Sequence, residues 1–183
     1  MRNIMHVLLI IITAALTLAA VAQAQPASAA RSAPDPSIAA LRSNWQQIID
    51  NVTAAATELT EAEYAYRPVA TVRTFGELIG HIAGAQNMMC AAALGEPQPA
   101  EDAVESVAKT KAALVAALKA SNAYCAKAYA ITSATAAIAT ELFGSPTTRV
   151  GALALNAVHD GEHYGNIITY MRMMGKVPPS SRR

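Results

Sequence analysis

Charge of one sign is what this sequence most lacks. Lysine and arginine total 14 and aspartate and glutamate 13 in 183 residues. A chain so balanced has no electrostatic footprint for nucleic acid or for an anionic membrane. Aromatic residues are few, at 5%, whereas alanine is abundant, a composition that favours helix. Cysteine occurs twice and histidine four times, so any site built on these residues has few candidates. Long apolar runs are also missing. The run from Val7 to Ala22 is interrupted by Thr13 and Thr17 and falls short of the roughly 20 apolar residues that span a membrane.

That run reads instead as the core of a secretory signal peptide. Arg2 precedes it, and Ala22-Gln23-Ala24 follows as a small-residue cleavage site, with Ala27-Ser28-Ala29 as a second, later one. Cleavage after residue 24 removes one base and no acid, leaving 13 of each. No cysteine adjoins the site, which argues against a lipid anchor. The expected destination is the periplasm or the exterior, with no stable membrane span after cleavage. Residues 25–36, rich in Pro, Ala and Ser, read as a disordered linker, and 37–180 as the folded domain. Export also changes how Cys90 and Cys125 are read. An even pair in an oxidising compartment implies a disulfide, closing a loop of 35 positions.

The remaining chain is helical. Asp35-Pro36 starts a first helix, to about Leu59, with Ile38, Leu41, Trp45, Ile48, Val52, Ala55 and Leu59 recurring at threes and fours. Leu59 to Arg73 is a connection containing Tyr64 and Tyr66. Thr74-Phe75-Gly76-Glu77 fits a capping box opening a second helix, which ends at Gly95. A third helix reaches about Ala130, with a ragged start that reads as loop up to about Ala108. Ile131–Thr147 is a mixed connection. The fourth helix, about Thr148 to Met174, reads as apolar nearly all round and therefore central. Gly175 caps it and Pro178-Pro179 stop it.

The cysteines bear on topology. Cys90 lies about 24 Å into the second helix, and Cys125 lies at a similar depth in the third. A bridge needs Cα atoms within about 7 Å, which parallel helices provide and a tight antiparallel hairpin does not. Gly95 to Val107 can span up to about 43 Å, enough for a crossover. The all-α expectation is therefore a four-helix bundle, up-down-down-up, with a crossover between helices 2 and 3.

Candidate chemistry lies on the fourth helix. His159 and His163 are four apart and stack on one face. Their neutral imidazoles suit zinc, nickel, copper or iron. With His6 in the leader, His81 is the candidate left for a third imidazole. A hydrogen-bonded polar layer of Asn156, His159, His163, Asn166 and Tyr170 is the alternative reading. Glu77, one turn before His81, is explained by the cap. Glu162 lies about 100° from His163 around the helix and points off the face. Asp160 is equally well read as solvated, and no catalytic residue is assigned. His159-Asp160-Gly161-Glu162-His163 also matches the H-x-x-E-H metalloprotease pattern. That pattern needs an acidic ligand downstream, and none of the 20 residues after His163 is acidic.

Taken together, Thr74–Ala83, His159–Asn166 and Tyr170–Pro179 closely resemble the DinB-like family, over about Ile38 to Ser180. The resemblance implies the same up-down-down-up bundle and a divalent transition metal, nickel, zinc or similar, held by His81, His159 and His163. Three protein ligands leave open coordination positions, the pattern of catalytic sites. It further implies a metal-dependent hydrolase or S-transferase-like activity on an unassigned small molecule, in a pocket for which Trp45, Tyr64, Tyr66 and Asn166 are candidates. The alternative is a non-catalytic periplasmic bundle binding a metal or ligand. The resemblance allows a homodimer, which no stripe in the sequence specifies.

Overall fold

A computed structural model describes residues 35–182. The segment expected to be a signal peptide and residues 25–34 of the expected linker lie outside them. Pro36 already belongs to the first helix, α1 (Pro36–Glu58), whose N-terminus is capped when the Asp35 carboxylate accepts the Ser37 amide at 2.9 Å. A 3₁₀ turn (Ala62–Ala65) precedes α2 (Phe75–Leu94). The capping box of α2 is formed: Thr74 N donates to Glu77 Oε2 at 2.7 Å and Glu77 N donates to Thr74 Oγ1 at 3.2 Å. The third long helix, α3 (Lys111–Ala128), begins after the loop read up to about Ala108, with Thr110 as its cap. After a short turn, α4 (Ser133–Ala136), come β1 (Ala139–Leu142), β2 (Ser145–Thr148) and the last long helix, α5 (Arg149–Met173).

The hairpin is a departure from expectation. Leu142 pairs with Ser145, leaving a two-residue turn of Phe143 (φ 52°) and Gly144 (φ 72°). Two successive positive φ angles make the primed turn whose twist suits antiparallel strands.

The bundle runs up-down-down-up. Gln86 Nε2 donates to Ser121 Oγ at 3.0 Å, and Cys90 is bridged to Cys125 with Cα atoms 5.3 Å apart, so α2 and α3 are parallel. Lys111 reaches Thr57 O while Trp45 stacks on Tyr129, so α1 opposes α3. His81 meets His159 and Arg73 meets Tyr170, so α5 opposes α2.

Burial corrects one expectation. The central helix is α2, buried from Phe75 to Ala93 except at Glu77 and Asn87. By contrast, α5 exposes Leu155 and Val158. The crossover is the cause: residues 95–110 return along the outer face of α2 and cover it. Gly80 and Gly84 make room. A Cβ on Gly80 would stand 2.9 Å from Glu105 Cα, and one on Gly84 would overlap the Glu101 carbonyl. Among the described residues no helix is long and apolar enough to cross a membrane.

Candidate metal centre

Local structure aims three imidazoles at one point. His81 lies two turns into α2, and His159 and His163 lie one turn apart on α5. His159 Nε2 is 3.1 Å from His81 Nε2 and 3.0 Å from His163 Nε2. All three donor atoms lie within 4.8 Å of one another. Metal–nitrogen bonds of about 2.1 Å place ligand nitrogens about 3.0 Å apart at right angles and about 3.4 Å apart at the tetrahedral angle. The two separations made by His159 Nε2 match those of ligands on a shared ion.

The outer sides of the rings tell the same story. His81 Nδ1 faces Glu105 Oε2 at 3.8 Å, and His159 Nδ1 faces Asp160 Oδ1 at 3.7 Å. Both nitrogens are buried and lack a hydrogen-bond partner, as does Asp160 Oδ1. His163 Nδ1 is 3.4 Å from the side-chain amide of Asn166, whose two ends exchange by a flip. Each ring thus has an acceptor-bearing group behind Nδ1, which favours the Nδ1–H tautomer and turns the Nε2 lone pair inward. Three inward lone pairs at these distances repel unless a cation lies between them. The donor set therefore fits a metal, and the three-histidine group could hold one.

Electrostatics favours the neutral form of His81 and His163. Burial is the main cause that pushes His81 down to about 3, followed by the positive Arg73 and the other two histidines. Burial likewise pushes His163 down to about 4, followed by His159 and Arg73. The consequence for the metal-free protein has a definite sign. Unfolded histidine titrates near 6.5. Between that value and the folded ones the unfolded chain binds more protons, so stability falls as pH drops through 6.5 and levels off near 3–4. Asp160, raised by burial from 3.8 to about 6, works the opposite way across most of that window, but it is one group against two. The urea midpoint of metal-free protein is expected to be lower at pH 5 than at pH 7. Equal midpoints would remove the case for two buried neutral imidazoles.

The structure assigns Asp160 a definite place, and it is not solvated. Its side chain is fully buried beside Trp45 and Asn156, and Asn156 Nδ2 donates to it at 3.4 Å. Glu162 is exposed, as expected. Tyr164 is buried, and its hydroxyl accepts the Ser180 amide at 3.0 Å, holding down the C-terminal tail.

An open cleft of about 650 Å³ reaches His163, with Asn166, Arg73, Glu105 and Tyr170 also in its wall. Of the four pocket candidates it receives only Asn166. Trp45 is 1% exposed in the core. Tyr64 packs on Phe75, and its hydroxyl donates to Ala56 O at 2.5 Å, which turns it toward α1. Tyr66 meets the edge of Tyr170 behind the cleft wall.

The architecture and site define a class: an up-down-down-up helical bundle with three histidines converging from its second and last long helices. Residues 44–167 match the model of the DinB superfamily, and the chain belongs to that superfamily. Solved structures agree on the fold. A DinB-like protein of Bacillus cereus superposes with a TM-score of 0.67 at 18% identity, covering 78% of this chain and 95% of the other. A conserved protein of Enterococcus faecalis gives 0.62 at 17% identity, covering 75% and 97%. A DinB-like protein of Bacillus subtilis gives 0.53 at 19% identity, covering 79% and 99%. A comparison with curated protein sequences returns no match.

Proposed function

We propose that the mature protein is an exported metalloprotein that binds one divalent transition ion, zinc, nickel or similar, through His81, His159 and His163. We further propose that it acts on a small molecule as a hydrolase or transferase. The observation that carries the reading is the convergence of three Nε2 atoms, each ring backed at Nδ1 by Glu105, Asp160 or Asn166. Export rests on the leader and on a cysteine pair that is joined. A bound ion supplies Lewis acidity, which lowers the pKa of water or of a thiol. The chain's own contribution is to hold three imidazoles in place and to provide a cleft. Arg73 stands in that cleft, its Nε held by both oxygens of Glu105 at 3.0 and 3.1 Å. A cleft that opens onto His163 favours catalysis over storage, because a storage site gains nothing from access for a larger molecule.

The test is metal content. The mature chain, exported natively and purified without chelators or a histidine tag, is expected to carry about one equivalent of a transition metal. His81→Ala and His163→Ala are expected to carry almost none. Absence of metal after reconstitution, with stability unchanged in both variants, would make the histidines a polar layer.

A further inference from the structure

Behind the three histidines the crossover brings a fourth group that no helix supplies. Glu101 Oε1 lies 3.9 Å from His81 Nε2 and 3.9 Å from His159 Nε2. It faces the inner nitrogens, where the ion would sit. Glu105 and Asp160 instead stand against the outer Nδ1 atoms. Two acids from one crossover thus occupy opposite sides of His81.

The two acids also differ in what already engages them. Glu105 is held by Arg73 through both carboxylate oxygens. Among the described residues Glu101 has no basic partner other than the two histidines, and its carboxylate makes no hydrogen bond. Its backbone, by contrast, is fixed. The Glu101 carbonyl lies against Gly84, where any side chain on α2 would overlap it. The Tyr124 hydroxyl donates to Glu96 at 2.6 Å and the Gln98 side chain to Glu141 O at 2.8 Å, so the segment leading to Glu101 is tied down too. The carboxylate is free to move by one rotamer while its root stays beside the histidines.

We propose that Glu101 is the fourth protein ligand of the metal, completing a His₃Glu set. This inference rests on the metal reading above. Carboxylate oxygen binds zinc-like ions at about 2.0–2.2 Å, which puts it about 3.0–3.4 Å from neighbouring ligand nitrogens. A shift of less than about 1 Å from the observed 3.9 Å reaches that position. The carboxylate also removes one positive charge from a buried dication. Because it comes from a connection and is partly exposed, it can yield its position to an incoming anionic group, whereas the helix-borne histidines cannot.

The experiment titrates metal-free protein with Co(II), read by visible absorption, and with Zn(II), read by chelator competition. The proteins are the disulfide-bonded wild type, Glu101→Gln, Glu101→Ala and His81→Ala. Thermal melts of the metal-free forms check that each is folded. Wild type is expected to bind one equivalent. Both Glu101 variants are expected to bind at least about 10-fold more weakly, with a Co(II) band changed in position and intensity. One equivalent in wild type, with affinity and spectrum unchanged in both Glu101 variants, would overturn the Glu101 assignment and leave the three-histidine site intact. No binding by wild type would overturn the metal reading itself, and this inference with it.

Discussion

Trp45→Ala will lower the stability of the domain by about 3–5 kcal/mol, the range for removing a fully packed aromatic side chain. The corresponding fall in melting temperature is roughly 6–20 °C for a domain of this size. Trp45 stacks on Tyr129 with ring centroids 4.3 Å apart, and its indole N–H donates to Gln86 Oε1 at 3.2 Å. That amide is the hub of a buried polar layer, because Gln86 Nε2 also reaches Ser121 Oγ and Asn122 Oδ1. Alanine therefore removes volume and leaves a buried acceptor without its donor, and the second loss adds to the first. Trp45→Phe keeps most of the volume and isolates the hydrogen-bond contribution, expected near 1–2 kcal/mol. Denaturant unfolding of the three proteins measures both. A loss below 1 kcal/mol in the alanine variant would contradict the packing described.

Opening the Cys90–Cys125 bridge is the second large effect. The loop of 35 positions predicts a loss of about 3–4 kcal/mol from the added freedom of the unfolded chain. The double variant Cys90→Ala/Cys125→Ala should therefore unfold at a lower denaturant concentration and with a steeper dependence, as the unfolded state expands. Reduced wild type should behave like the variant. Finding both thiols free in protein taken from the periplasm under alkylating conditions would remove the bridge and this prediction together.

Much of the bundle was legible because its signals are local. Thr74 and Glu77 form the capping box that their spacing announced. The four-residue step from His159 to His163 needs only helical geometry to put both rings on one side. The parallel course of α2 and α3 followed from the depth of each cysteine in its helix. What escaped was set by the crossover. Glu101 and Glu105 reach His81 because the chain lies back on Gly80 and Gly84, and a glycine every four residues on α2 was the available signal. Reading α5 as the central helix failed for the same reason: periodicity cannot say that a connecting segment will cover α2 instead. Asp160 sits 100° around the helix from His159, and its burial depends on Trp45 of α1, a contact without a sequence signature. The hairpin was hidden because Phe143, not the usual Asn or Asp, occupies the first left-handed position of its turn.

The parallel pairing of α2 and α3 has a consequence for biosynthesis. A nascent chain that closed these two helices as a simple hairpin would bury similar apolar surface. It would, however, leave Cys90 one turn from the hinge and Cys125 almost four turns away, separated by about 15 Å along the axis. That distance is more than twice what a disulfide tolerates, so the mispaired form cannot be oxidised within one molecule. Oxidation thus acts as proofreading: it locks the register in which the histidines and the crossover acids meet, and leaves a wrongly folded chain with two unpaired thiols.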